Sequence, residues 1–242
     1  EHSDFFEDPY GRVFRSLPRI LGVVYDGPQA DATGKEVRAF HKTIGGTDDH
    51  GRRYHALDPA TFWWAHATFQ YMAEQVADRY DSHRVTPAER DSLYADGIEW
   101  YRRYGVSDRA VPPTRAAFQH EFDRICSEVL EMNAAVEFVL KLLHNPEPLR
   151  LEGPLAPLSP VMKLPPMRQI TSTAVRLSAI GGLPPIVRQR FNIRWTRQDQ
   201  IQLEALQLAV AQGWRLVPFP MRWQPRALEG WRRVRAERKV AA

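Results

Sequence analysis

Two histidines are spaced to look inward from two helices: His41 in EVRAFHKTIGG (residues 36–46) and His66 in DPATFWWAHATF (58–69). His41 follows Val37 by four residues and precedes Ile44 by three, and His66 stands in the same relation to Phe62 and Phe69. Neighbours at that spacing share one face of a helix, so each imidazole lies in an apolar stripe and is expected to be buried. Such a histidine is ordinarily a hydrogen-bonded core residue. It is also what a haem iron asks of a protein, a single proximal nitrogen with hydrophobic walls around it.

A third set lies in DPYGRVFRS. Arg12 and Ser16 are one helical turn apart with Arg15 beside them, while Phe14, Leu17 and Leu21 take the other face. A solvated face accounts for this pattern. So does a polar edge over a pocket, where an arginine holds a propionate or a bound oxygen species.

Other chemistries lack their residues. The single cysteine, Cys126, excludes an internal disulfide and any multi-thiolate metal site, and its setting in FDRICSEVL reads as a small core residue. There is no HExxH zinc motif, no glutamate three residues before a histidine as a di-iron bundle requires, and no GxSxG serine elbow. GGTDDHG has neither the P-loop nor the dinucleotide-binding glycine spacing.

The elements that must position these residues read as helices. Asp8–Pro9 and Asp58–Pro59 are N-cap and first-turn pairs, Thr86 with Glu89 forms a capping box, and that helix stops at Gly105. The stretch from Pro113 to Asn145 reads as one long helix or two joined near Asn133. MRQITSTAVRLSAIGG ends at a glycine pair, LPPIVRQRF is a short helical turn, and a last clear segment runs from Thr196 to Gly213. Only GTDDHGRRYHAL suggests a hairpin. The expectation is all-α, a single multi-helix domain over residues 1–242. Residues 145–166, with seven prolines in 22 residues, are expected to be a non-helical crossover laid over its surface.

At 242 residues with 43% hydrophobic residues, the chain can bury roughly 70–75% of its unfolded surface. The net charge of +4 arises largely in MRWQPRALEGWRRVRAERK near the end. That distribution suits a solvated last helix and leaves room for peripheral membrane contact through it; with no helix-turn-helix spacing, no nucleic acid is expected as a partner. No run of 18 apolar residues occurs. The location expected is cytoplasmic or membrane-associated, with an upstream signal or anchor left open because the sequence does not begin with Met.

Taken in order, HSDFFEDPYGRVFRS, EVRAFHKTIGG, YHALDPATFWWAHATF, LPPIVRQRFNIRWTRQDQ and RLVPFPMRWQPRA resemble the rubber oxygenase (latex clearing protein) and MpaB-type oxygenase catalytic-domain family over nearly the whole chain. The resemblance implies a globin-like helical core holding one haem b, used with dioxygen to cleave or oxidise carbon–carbon double bonds of isoprenoid chains. It implies that His41 is the proximal iron ligand, with Arg12 and Ser16 matching the distal arginine and threonine. Arg15 stands where the rubber enzyme has a lysine able to ligate iron; a guanidinium offers no lone pair, so the distal position is expected to be open or water-filled. The family's catalytic glutamate has only Glu1 and Glu7 as candidates.

The leading expectation is therefore a haem-b-dependent oxygenase acting on an apolar isoprenoid or lipid-like olefin. His41 holds the metal, Arg12, Ser16 and Arg15 form the polar edge, and Phe62, Phe69 and Trp63 line the substrate; His66 is the second choice as ligand, or supports the first. The alternative is a non-catalytic helical protein that binds lipid or haem.

Overall fold

The computed structural model describes residues 4–48, 50–81, 83–144, 157 and 159–240. Among them the chain forms helices α1 (Pro9–Tyr25), α2 (Ala30–Phe40), α3 (Pro59–Tyr80), α4 (Pro87–Arg103), α5 (Arg115–Arg124) and α6 (Ala134–His144). There follow α7 (Ser159–Met162), α8 (Pro165–Gly182), α9 (Pro185–Arg190), α10 (Arg197–Gly213) and α11 (Pro225–Val240). The expected hairpin is present between α2 and α3, with β1 (Gly45–Thr47) antiparallel to β2 (Arg53–His55) and Gly46 opposite Tyr54. The fold is all-α apart from that ribbon. Among the described residues no helix is long and apolar enough to cross a membrane.

The chain packs as two compact units, one of Glu1–Glu74, Val85–Phe118 and Arg222–Ala242, the other of Gln75–Arg84 and Gln119–Met221. In the first, the local signals set the helix ends. The Asp8 carboxylate accepts from the Gly11 amide at 2.9 Å, Asp58 accepts from Ala60 and Thr61, and Thr86 and Glu89 complete both halves of a capping box. Gly105 ends α4 at φ +67°, a backbone that only glycine adopts without strain. Gly34 lies where a Cβ would meet the carbonyl of Arg103, so its lack of a side chain lets α2 pass close over the end of α4.

The core of this unit is aromatic. Trp63 meets Tyr101 edge-on at 5.2 Å between ring centroids, and Tyr94 stacks on Phe118 at 5.2 Å. Beneath them lies a buried polar group: Arg115 donates to Glu74 Oε2 from Nη2 at 2.7 Å and from Nε at 3.1 Å, while the Gln70 amide donates to Glu74 and to the Leu93 carbonyl. Helix α11 returns to α1. Arg226 grips the Asp26 carboxylate at 2.6 and 2.9 Å and also reaches the Pro18 carbonyl, and Arg233 donates to the Tyr25 carbonyl at 2.6 Å.

In the second unit Leu177 and Ile180 of α8 are buried with Leu203 of α10, and Arg176 pairs with Asp199 at 2.7 Å. Thr196 and Asp199 form a second capping box. The long helical stretch splits: after α5 comes a π turn, Ile125–Val129, whose Cys126 and Glu128 carbonyls accept from Arg190. Cys126 is buried, as expected, and burial pushes its thiol up to about 11. The proline-rich stretch needs correction. Residues 145–156 and 158 lie outside those described, but Ser159–Met162 is a helical turn and α8 begins at Pro165. Pro160, Pro165 and Pro166 each fall in a first turn, where a missing N–H breaks no helical bond.

Candidate active site

A cavity of about 600 Å³ opens in the first unit, within the roughly 300–1,000 Å³ range of small-molecule and cofactor sites. Helix α1 supplies Arg12, Arg15, Ser16, Arg19 and Ile20; the end of α2 and the turn after it supply Val37, Phe40, His41 and Ile44; α3 supplies Thr61, Phe62, Ala65, His66 and Phe69. The structure thus brings Arg12, Arg15, Ser16, His41, His66, Phe62 and Phe69 to one wall system. Trp63 is the exception: it is turned into the core against Tyr101 and Phe118 and does not line the cavity. Glu7 is exposed and away from the lining, and Glu1 lies outside the described residues.

His41 is the C-cap of α2 and half-buried, not in mid-helix and fully buried as the spacing suggested. The helix, expected to run to about Ile44, ends at Phe40, and the chain turns from there into the hairpin. Its Nδ1 lies 2.8 Å from the Val37 carbonyl, four residues back. A carbonyl only accepts, so Nδ1 carries a proton, and in the neutral ring Nε2 is the nitrogen with the lone pair. The ring is steadied edge-on by Phe62 at 5.5 Å. An imidazole held by its Nδ1 on a cavity wall presents its Nε2 edge to the space beside it. Among the described residues no three His, Cys, Asp or Glu side chains gather as a metal cage, so a metal here would have to bring its other ligands with it.

His66 is fully buried, as expected. Its Nε2 donates to the Gly97 carbonyl at 2.8 Å, and Trp63, Trp100, Tyr101 and Tyr104 enclose the ring. Nδ1 has no hydrogen-bond partner among the described residues. Burial drives its pKa from 6.5 down to about 4, outweighing the Gly97 bond, so the ring is neutral around pH 7. Because the folded value lies below the unfolded one, the neutral ring's contribution is fully present above about pH 6.5 and is lost as pH falls toward 4. Denaturant titrations from pH 7 to pH 4 should show a loss of roughly 3 kcal/mol attributable to this residue. A His66→Phe variant should flatten that limb of the profile; an unchanged limb would exclude His66 as its source.

Arg12 Nη1 donates to Ser16 Oγ at 2.7 Å, and Ser16 donates in turn to the Arg12 carbonyl at 2.9 Å. Cation and hydroxyl are therefore coupled on the cavity side, while Phe14 and Leu17 stand exposed on the other face of α1. Arg15 is differently placed: it pairs with Asp8 at 2.8 Å and with Asp4, and these carboxylates hold its guanidinium even more firmly protonated. Arg19, not singled out by the sequence, pairs with Glu36 and lies over the Phe40 ring at 5.0 Å. Its position one turn beyond Arg15 on the Arg12 face was the available signal. Tyr104, also missed, reaches the cavity from beyond the end of α4, and burial raises its phenol far above the usual range.

Against known proteins, residues 1–212 match the family model described as ER-bound oxygenase mpaB/B'/Rubber oxygenase, catalytic domain. No curated protein and no solved structure matches the chain. The match takes in every wall of the cavity, and the chain belongs to the mpaB/B' and rubber oxygenase catalytic-domain family of oxygenases.

Proposed function

We propose that the protein is a haem-b-dependent oxygenase that uses dioxygen to cleave or oxidise a carbon–carbon double bond of an apolar isoprenoid or lipid-like substrate. The observation that carries this reading is His41, whose Nδ1 bond to the Val37 carbonyl leaves Nε2 as an oriented lone pair for iron on the half-buried rim of the cavity wall, whereas the Nδ1 of His66, without a partner among the described residues, is enclosed by Trp63, Trp100, Tyr101 and Tyr104. The surroundings fit the group: a cavity of about 600 Å³, apolar walls and arginines at one edge. When bound, haem supplies the iron at which dioxygen is activated.

The remaining work falls to the chain. Ile20, Val37, Phe40, Ile44, Phe62 and Phe69 hold an apolar chain by contact and keep water from it. Arg12, braced by Ser16, sets a cation where negative charge develops on oxygen; a fixed donor of this kind is worth roughly 3–4 kcal/mol in other enzymes. Arg15, engaged by Asp4 and Asp8, fixes the chain before α1 beside the cavity and is not available as a metal ligand. His66 has its proton held by Gly97, so it acts as a neutral wall and not as an acid.

The test is the absorption spectrum of the purified protein as isolated, after reduction and with carbon monoxide. An intense Soret band that moves on reduction and again with carbon monoxide is expected. Absence of the band after added haem would overturn the reading and favour an apolar-ligand carrier.

A further inference from the structure

The family match ends at residue 212, and the next stretch has a character of its own. Residues 214–221, WRLVPFPM, form two 3₁₀ turns, Trp214–Leu216 and Phe219–Met221, held by amide bonds from Val217 to the Trp214 carbonyl and from Met221 to the Pro218 carbonyl. Four large apolar side chains stand out from these turns: Trp214, Phe219 and Met221 are exposed, and Leu216 is 86% exposed. Leu208, near the end of α10, is exposed as well. Short turns that present Trp, Leu, Phe and Met outward are costly in water and suit a medium that is apolar just below a polar surface.

The charge within the segment itself is a single cation, Arg215. Along the sequence no acid occurs between Glu204 and Glu229, where Arg215 and Arg222 stand, while Arg226 is engaged by Asp26. Four side chains on eight residues also fall short of the roughly 800 Å² per partner that a stable protein interface buries. Shallow insertion needs no such area, since each apolar group entering the acyl boundary adds its own transfer free energy and each cation adds attraction to anionic headgroups.

We propose that Trp214–Met221 is a membrane-docking segment that inserts its apolar side chains into the interface of an anionic lipid bilayer. The basic residues that follow were expected to make such contact through the last helix; the exposed side chains move its apolar part to the turns ahead of α11. This inference stands apart from the haem reading, because vesicle binding needs neither cofactor nor turnover.

The experiment is co-sedimentation of the full 242-residue chain with phosphatidylcholine vesicles, with and without phosphatidylserine. Binding to the phosphatidylserine vesicles that weakens with salt is expected. Leu216→Glu should lower the partition coefficient about tenfold or more with an unchanged circular dichroism spectrum, since this side chain holds nothing in the fold. Arg215→Gln should weaken binding severalfold on the anionic vesicles alone. No partitioning onto phosphatidylserine vesicles, partitioning that Leu216→Glu leaves intact, or self-association that Leu216→Glu abolishes would each overturn the proposal, the last by making a second copy the occupant.

Discussion

A His41→Ala protein is expected to leave purification without a Soret band and with its helical content intact. The side chain is half-buried at the end of α2, so its removal costs the edge contact with Phe62 and one local bond to a carbonyl that water can replace, a loss on the scale of ordinary single substitutions, about 1 kcal/mol. In the proposed reading the bond that retains haem is made by Nε2. The partner that fixes the tautomer is the backbone carbonyl of Val37, so no side-chain change at that position removes it. His41→Gly supplemented with free imidazole should recover part of the band. His66→Phe is the control: it leaves His41 untouched and should keep the spectrum, and the opposite pattern, haem retained without His41 and lost without His66, would transfer the ligand role to His66.

The largest stability effect is expected at Glu74→Ala. The carboxylate is 5% exposed and both of its close donors come from Arg115, whose side chain is 26% exposed. Truncating the acid leaves a guanidinium with no other acid paired to it among the described residues, together with a Gln70 amide that has lost one acceptor. Removing one partner of a buried pair costs roughly 3–5 kcal/mol, whereas replacing both by apolar groups of similar volume can be close to neutral. The urea midpoint of Glu74→Ala should therefore fall far below that of the parent, and a Glu74→Leu, Arg115→Met double variant should recover most of the difference. Additive loss in the double variant would mean that the two side chains are not energetically coupled and that the pair is not what holds this part of the core.

Much of the fold could be read from the sequence because its signals are local. Asp8–Pro9, Thr86 with Glu89 and Gly105 act within a few residues, and the helices start and stop where they say. The Thr196–Asp199 box closes as tightly although its acid is an aspartate, one methylene shorter than the usual glutamate. The cavity was legible in part for a similar reason: His41, His66, Phe62, Phe69, Arg12 and Ser16 announce their faces by spacing. What could not be read depends on a partner far along the chain. Trp63 follows Phe62 and looked equally suited to a substrate wall, yet Tyr101 and Phe118 claim it for the core. Gln70 and Glu74 continue the four-residue stripe of Phe62 and His66, but as polar residues they pass for a solvated face until Arg115 is seen beside them. The π turn at Ile125 also has no local cause; its carbonyls are met by Arg190, 64 residues after Cys126.

The clasp between Arg226 and Asp26 joins residues 200 positions apart, and with it the unit that holds the cavity is built from both ends of the sequence. During synthesis α1 and α2 leave the ribosome long before α11 exists, so until then they present the surface that α11 will cover. Closing so long a loop adds little to its free-energy cost, which grows only with the logarithm of length, but it fixes the order of events. The intervening unit, contiguous from Gln119 to Met221 apart from its short first segment, can reach its own contacts earlier. During synthesis the cavity-bearing unit is therefore the last to become complete, and nascent chains halted before α11 should leave α1 more open to protease than the released protein does.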